Sequence, residues 1–347
     1  SLSLQCDLTP LNEFFSLPFN RFTRNKTFYH DEILKKFDYK TVLDSEINAA
    51  IKLTEPDKLK LIKTIKNAMA LTNRETDTVT YMDENTLRYY QLERGISVAI
   101  YGMTSQRQLP FESYIGYTLF KNGFPCAYGG GWVFGKRALF GINIFEWFRG
   151  GESGMVLCQL LRVYRQVFDI DYFEVEPYQY GLDNPDGIAS GAFWFYYKYG
   201  FCPVDKELKK IAEREFQKIT TDKNYRTPEK ILLRFTESNI ALALEKVNQK
   251  TIVEVTSLIS RMIRKQFRGN RMYAEKECMS LFLQKSQRVV NDAEYSEALL
   301  EVALLCEAYK IKDDETINLL YTMAQTKPVN PYDYQSMLLK FLEKVSV

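Results

Sequence analysis

Along the chain the spacing of apolar positions changes twice, from helical to alternating near Gly95 and back to helical after Pro203. In the first stretch Leu59, Leu61, Ile62, Ile65 and Met69 form a stripe behind Pro56-Asp57 and predict a helix, with Lys58, Lys60, Lys63 and Lys66 on its solvated side. Short helices are expected over 31–37, from the Asp44-Ser45 cap to about Ile51, and over 84–92, with an extended piece at 79–82. Beyond Gly95, strands are expected over 96–103, 114–120, 125–134 and 138–145, with Lys121-Asn122-Gly123 as a hairpin turn. Gly129-Gly130-Gly131 inside the third of these strands calls for a bulge, a bend or the close approach of a ligand. A helix follows, its stripe made of Val156, Leu160, Tyr164 and Val167 and widened by Leu157, Leu161 and Phe168, with Gln159, Arg162 and Arg165 facing away. The run 172–176 reads as another strand, and an irregular loop leads to a helix that ends at Tyr199-Gly200-Phe201.

From 205 onward there is almost no alternation and a single glycine, Gly269. Helices are expected over 231–247, 252–267, 274–283, 295–309, 315–323 and 332–345, with breaks at Asn248-Gln249, Gly269-Asn270, Asn291-Asp292 and 328–331. The order of elements predicts an α/β (α+β) chain in three parts: a helical region 1–94, a mixed-sheet core 95–205 and an all-helical domain 206–347.

Composition narrows the function classes. Net charge is +2, with 46 basic against 44 acidic residues, so no global field draws the chain to nucleic acid or to an anionic membrane. Arg261, Arg264, Lys265, Arg268 and Arg271 form the most basic local run and read as an exposed helix end, where cations are favoured. His30 is the only histidine, and Cys6, Cys126, Cys158, Cys202, Cys278 and Cys306 stand singly, so neither a histidine triad nor a zinc site is expected and no metal is called for. Buried thiols in a reducing compartment, and the lack of an 18-residue apolar run or a signal-peptide core, lead to an expectation of a cytoplasmic protein without a membrane segment. The opening Ser-Leu-Ser-Leu lacks a methionine, as expected of a processed or truncated start.

The chemistry concentrates in residues 137–201. Arg149-Gly150-Gly151-Glu152-Ser153-Gly154 places three glycines between a buried strand and a helix start, where unpaired amides and the helix dipole suit a phosphate. Neither GxGxxG nor GxxxxGK[ST] is present there. With the strand 172–176 and the closing Tyr196, Gly200 and Phe201, this stretch resembles the GNAT superfamily of acetyl-CoA-dependent N-acetyltransferases, in which an R/Q-x-x-G-x-G/A loop holds the CoA pyrophosphate and a Tyr-x-x-x-Gly-Phe signature closes the core. Arg149 and Gly154 match the ends of the loop pattern. Glu152 replaces its middle glycine, and a carboxylate there is expected to oppose the diphosphate; Ala189 stands where the family commonly has asparagine, with Asn184 nearby in a longer loop.

The resemblance covers roughly 95–205 and implies a mixed, twisted sheet of about six or seven strands with helices on both faces. It assigns Ile142, Asn143, Ile144 and Phe145 to the pantetheine and acyl carbonyl, and Arg149, Gly150, Gly151, Glu152, Ser153 and Gly154 to the pyrophosphate of acetyl-CoA or another acyl-CoA. Tyr196 becomes the proton donor to sulfur in a direct attack of an amine on the thioester. Glu174 and Glu176, which share a strand face, and Glu146 are the candidate bases. Tyr178, Tyr180 and Asp183 are candidates for recognising a small-molecule or peptide amine. The alternative is a GNAT-like core without catalysis, acting as a scaffold through protein contacts or homo-oligomerisation of the helical C-terminal domain. An aminoacyl-tRNA-dependent transferase related to the Fem-like enzymes is disfavoured by the near-neutral charge.

Overall fold

The computed structural model describes residues 20–24, 26–74, 77–288 and 297–346. Among these it contains a mostly antiparallel mixed sheet of eight strands in the order β1-β2-β3-β4-β5-β6-β8-β7, one strand more than the upper expectation. The strands are β1 (Arg88–Gln91), β2 (Ile96–Gly102), β3 (Ser113–Lys121), β4 (Phe124–Phe134), β5 (Arg137–Ile144), β6 (Tyr172–Val175), β7 (Cys202–Pro203) and β8 (Ile240–Ala243). The chain divides into two compact units, the first formed by residues up to Met103 with Gly116–Gly130 and Ile142–Val163, the second by Thr104–Ile115, Gly131–Gly141 and Tyr164–Val347.

In the first unit α1 (Tyr39–Asp44) is capped by Asp38, and α2 (Glu55–Leu71) by Thr54 with proline in its first turn. Residues 31–37 are not helical, and Ser45 ends α1 instead of starting a helix, its amide donating to the Thr41 carbonyl. Within the α2 stripe Leu61, Ile62, Ile65 and Met69 are buried, whereas Leu59 is exposed. A single turn, α3 (Asp77–Thr80), occupies much of the stretch expected to be extended.

The helix expected over 84–92 is instead one 3-10 turn followed by β1. The Gly102 amide donates to the Thr86 hydroxyl at 2.7 Å and the Asp83 amide to the Gly102 carbonyl at 2.9 Å, which fastens the turn to β2. Tyr89 and Tyr90 are then buried on a ladder antiparallel to β2, a setting that favours aromatic residues. Asn122 and Gly123 both take positive φ, the two-residue hairpin geometry expected for this turn between β3 and β4.

The helix α4 (Ser153–Phe168) follows β5. Its supposed outer face is corrected: Gln159 and Arg162 are each only 2% exposed. The Arg162 guanidinium donates to the carbonyls of Ser45 and Glu46, to Gln159 Oε1 at 3.1 Å and to Glu93 Oε2 at 2.6 Å. A planar fork with several donors can satisfy carbonyls that no regular element pairs.

In the second unit Gly131 meets the Tyr164 ring, a Cβ there coming within 3.1 Å of it, so this glycine admits a helix side chain and not a ligand. β6 runs parallel to β5 through three pairs, from Arg137↔Tyr172 to Leu139↔Glu174. After α5 (Pro185–Ala189) and α6 (Ala192–Tyr197) come β7 and α7 (Lys206–Thr221), a helix in a stretch for which the sequence pattern named no element. The helix expected over 231–247 stops early as α8 (Glu229–Phe235), and β8 then inserts between β6 and β7, antiparallel to both. The remaining helices, α9 (Ile252–Phe267), α10 (Arg271–Ser286), α11 (Glu297–Ala308), α12 (Asp314–Thr326) and α13 (Pro331–Lys344), agree closely with the pattern. The break expected at Asn291-Asp292 lies outside the described residues.

α9 to α13 share one apolar core that takes in Phe111 from the β2–β3 connection. Phe111 holds a positive φ, and its carbonyl accepts from the Tyr334 hydroxyl at 2.8 Å. Among the described residues no helix is long and apolar enough to cross a membrane. Cys126, Cys158, Cys278 and Cys306 are buried free thiols and Cys202 is a half-buried one.

Replacing Arg162 by methionine keeps much of the volume but leaves the Ser45 and Glu46 carbonyls without their donor. The expected loss is about 2–3 kcal/mol, measured as a lower urea midpoint at unchanged slope; an unaltered midpoint would show that the buried guanidinium adds nothing.

Candidate functional site

The glycine turn begins where β5 is pinned. The Phe145 amide donates to the Cys126 carbonyl at 3.0 Å, and its ring stacks on Tyr128 at 5.5 Å and on Trp147 at 5.9 Å. A 3-10 turn from Glu146 to Phe148 carries the chain to Arg149, whose Nε donates to the Ile144 carbonyl at 3.1 Å while the side chain stays exposed. Gly150 and Gly151 have φ of 75° and 51°, a left-handed pair that most side chains avoid, and a Cβ on either would meet no atom within 4 Å. Gly150 and Gly151 are therefore open to solvent, whereas Ser153 is half-buried and Gly154 and Met155 are buried at the helix start.

The Ser153 amide donates to the Gly150 carbonyl at 2.9 Å. Among the described residues no backbone carbonyl accepts from the amides of Gly150, Gly151, Glu152, Gly154 or Met155. These donors stand at the first turn of a 16-residue helix, where its dipole is positive.

The carboxylate of Glu152 is fully engaged by other groups. It is 8% exposed, pairs with Arg94, takes a 2.7 Å bond from Lys121 Nζ and accepts the Leu34 amide at 3.1 Å. Burial works against its charge, but the bonds from Arg94, Lys121 and the Leu34 amide outweigh it and hold the carboxyl at about 2. The opposition to a diphosphate expected from this residue is thus cancelled by two neighbouring cations. Neither Arg94 nor Lys121 is marked by local sequence; only the fold brings them to Glu152.

Ile142 and Phe145 are buried, Asn143 and Ile144 half-buried, and Glu146 is exposed. All belong to the first unit, as do the turn residues, whereas Tyr196 and the acceptor candidates belong to the second.

In the second unit Tyr196 is 2% exposed and its hydroxyl donates to Gln179 Oε1 at 3.3 Å. Gln179 in turn lies against β5: a Cβ on Gly141 would come within 2.6 Å of its Nε2. Gln179 was not singled out by sequence reasoning, since no motif marks it; Gly141 in mid-strand is the only trace of its approach.

Glu174 is half-buried, with Oε1 accepting from Asn239 Nδ2 at 2.7 Å, whereas Glu176 is exposed beyond the end of β6. The two glutamates thus do not share one environment. Tyr180 is buried, gives its hydroxyl proton to the Ser238 carbonyl and has its pKa pushed well up by burial; Tyr178 and Asp183 are exposed. Asn184 caps α5, accepting from the Gly187 amide at 3.3 Å and donating to the Tyr178 carbonyl at 2.8 Å.

A depressed carboxyl stabilises the fold above its unfolded pKa, and that stability disappears as pH falls through the folded value. Between pH 4.5 and about 2, Glu152 should therefore cost the protein up to about 3 kcal/mol. Urea midpoints of wild type and Glu152→Gln, compared at pH 6 and pH 3, should converge in acid; a constant gap would contradict the assignment. No family model, curated protein or solved structure matches this chain.

Proposed function

We propose that the chain is an acyl-CoA-dependent N-acyltransferase of the GNAT type, transferring an acyl group to an amine. The observation that carries this reading is the open turn at Gly150 and Gly151, whose amides find no backbone acceptor among the described residues and stand before the helix joining two parallel strands. Such a turn suits a diphosphate because backbone donors and the helix dipole act on it together, without side-chain obstruction. The cancelled charge of Glu152 removes the main physical objection.

In the proposed reaction the turn 149–154 binds the CoA diphosphate, and the end of β5, Ile142 to Phe145, runs beside the pantetheine arm, with the Phe145 amide held by Cys126 and the Ile144 carbonyl by Arg149. A neutral amine attacks the thioester carbon, the C–S bond breaks, and the thiolate takes a proton from an acid, the role that the GNAT resemblance gives to Tyr196. The amine proton passes to a carboxylate. Among Glu146, Glu174 and Glu176, only Glu174 is half-buried and held by a neighbour, Asn239, so it best fits a fixed base. Tyr178 and Asp183, exposed in the loop after β6, remain candidates for holding the amine.

Calorimetric titration with acetyl-CoA tests the reading, and no detectable heat would remove it. Replacing Gly150 and Gly151 together by alanine should weaken binding ~10-fold through strain at positive φ. Tyr196→Phe should slow turnover by ~100-fold or more with CoA affinity nearly unchanged; an unaltered rate would clear Tyr196 of the acid role.

A further inference from the structure

A second place in the second unit has the marks of a ligand site and takes no part in the proposed transfer. A cavity of about 650 Å³ lies where α5 and α6 meet α7 and the segment that enters α8. That volume is in the range of small-molecule pockets. Its walls are apolar and aromatic, with Ile188, Trp194, Phe195, Phe216 and Leu232 among them, and Lys198 and Arg226 also line it.

The indole of Trp194 is fixed from several sides. It lies edge-on to Phe193 at 4.9 Å, to Tyr197 at 5.2 Å and to Phe235 at 5.9 Å, and stacks on Phe216 at 6.0 Å. Yet its Nε1–H is buried and finds no acceptor among the described residues. A buried donor in so rigid a setting is costly unless something outside the chain accepts from it. Its Cδ1, the carbon next to Nε1, faces Gly191, which itself lines the cavity.

The charges add a sign. Lys198 and Arg226 are exposed and have no carboxylate partner among the described residues; Arg226 Nη1 donates to the carbonyls of Lys223 and Tyr225 at 2.9 and 2.8 Å. Glu229 is the one acidic side chain in the wall, which leaves an excess of a single positive charge. An occupant with a flat apolar body, one acceptor for the indole N–H and one negative charge satisfies all three features.

We infer that this cavity binds a small aromatic monocarboxylate, its oxygen accepting from Trp194 and its charge facing Lys198 and Arg226. The site is independent of CoA binding, so it stands or falls apart from the transferase reading.

2-Naphthoate is the test probe and 2-naphthamide its uncharged counterpart, both titrated into the full chain by calorimetry and by the indole N–H resonances. The expected result is naphthoate binding that shifts the Trp194 signal, with Lys198→Ala/Arg226→Ala weakening naphthoate by ~10-fold or more and leaving naphthamide nearly unchanged. Both substitutions are on exposed side chains, so the fold should survive them. Trp194→Phe, which keeps a ring but removes the donor, should weaken both probes. No binding at ~1 mM naphthoate, equal affinity in the doubly substituted chain, or binding that leaves the Trp194 signal in place would each overturn the proposal.

Discussion

The ion cluster at Glu152 is the constraint on which the first unit turns. A carboxylate that is 8% exposed can stay charged only if cations and amides replace its water, and Arg94, Lys121 and Leu34 do so. About two and three turns beyond Glu152, Gln159 and Arg162 extend the same polar seam to Glu93 and to the carbonyls of Ser45 and Glu46. A helix that looks amphipathic in sequence is thereby held on both faces, by apolar packing on one and by paired charge on the other.

Much of the architecture was legible. The strands from Ile96 to Ile144 alternate or run apolar, and the helices after Thr251 carry long stripes with clear caps, so local pattern and final structure agree. The failures have physical causes. β1 and β8 are four residues each, too short for a period to show, and they become strands only because a neighbour supplies the ladder. Ile240-Ala241-Leu242-Ala243 in particular has no strong strand preference of its own. Arg162 was placed on the outside because charge suggests water, whereas its donors were needed by carbonyls more than a hundred residues earlier in the chain.

The glycine turn was visible in the local sequence, and Gly150 and Gly151 take the left-handed backbone that favours glycine, whereas Gly154 lies in α4 without it. The supporting groups were not visible. Arg94 and Lys121 lie 58 and 31 residues from Glu152, and Gln179 reaches Tyr196 from the 3-10 turn Pro177–Tyr180, which carries no motif. The aromatic run from Phe193 to Phe201 shows the same division. Tyr196, Gly200 and Phe201 fit a signature, but Phe193 and Trp194 make sense only once Phe235 and Phe216 are seen beside them, with Phe193 stacked on Phe235 at 4.0 Å.

The late strand β8 has a practical meaning for anyone dividing the gene. Its pairing with both β6 and β7 means that the sheet is completed by residues forty positions after the aromatic signature has ended. A fragment cut at that signature would expose the backbone edge of β6 beside the buried rings and branches of Phe173 and Val175. Bare edges of this kind recruit other chains, so the shortened piece should be recovered as sticky aggregates, and the portion usable by itself must extend past Ala243.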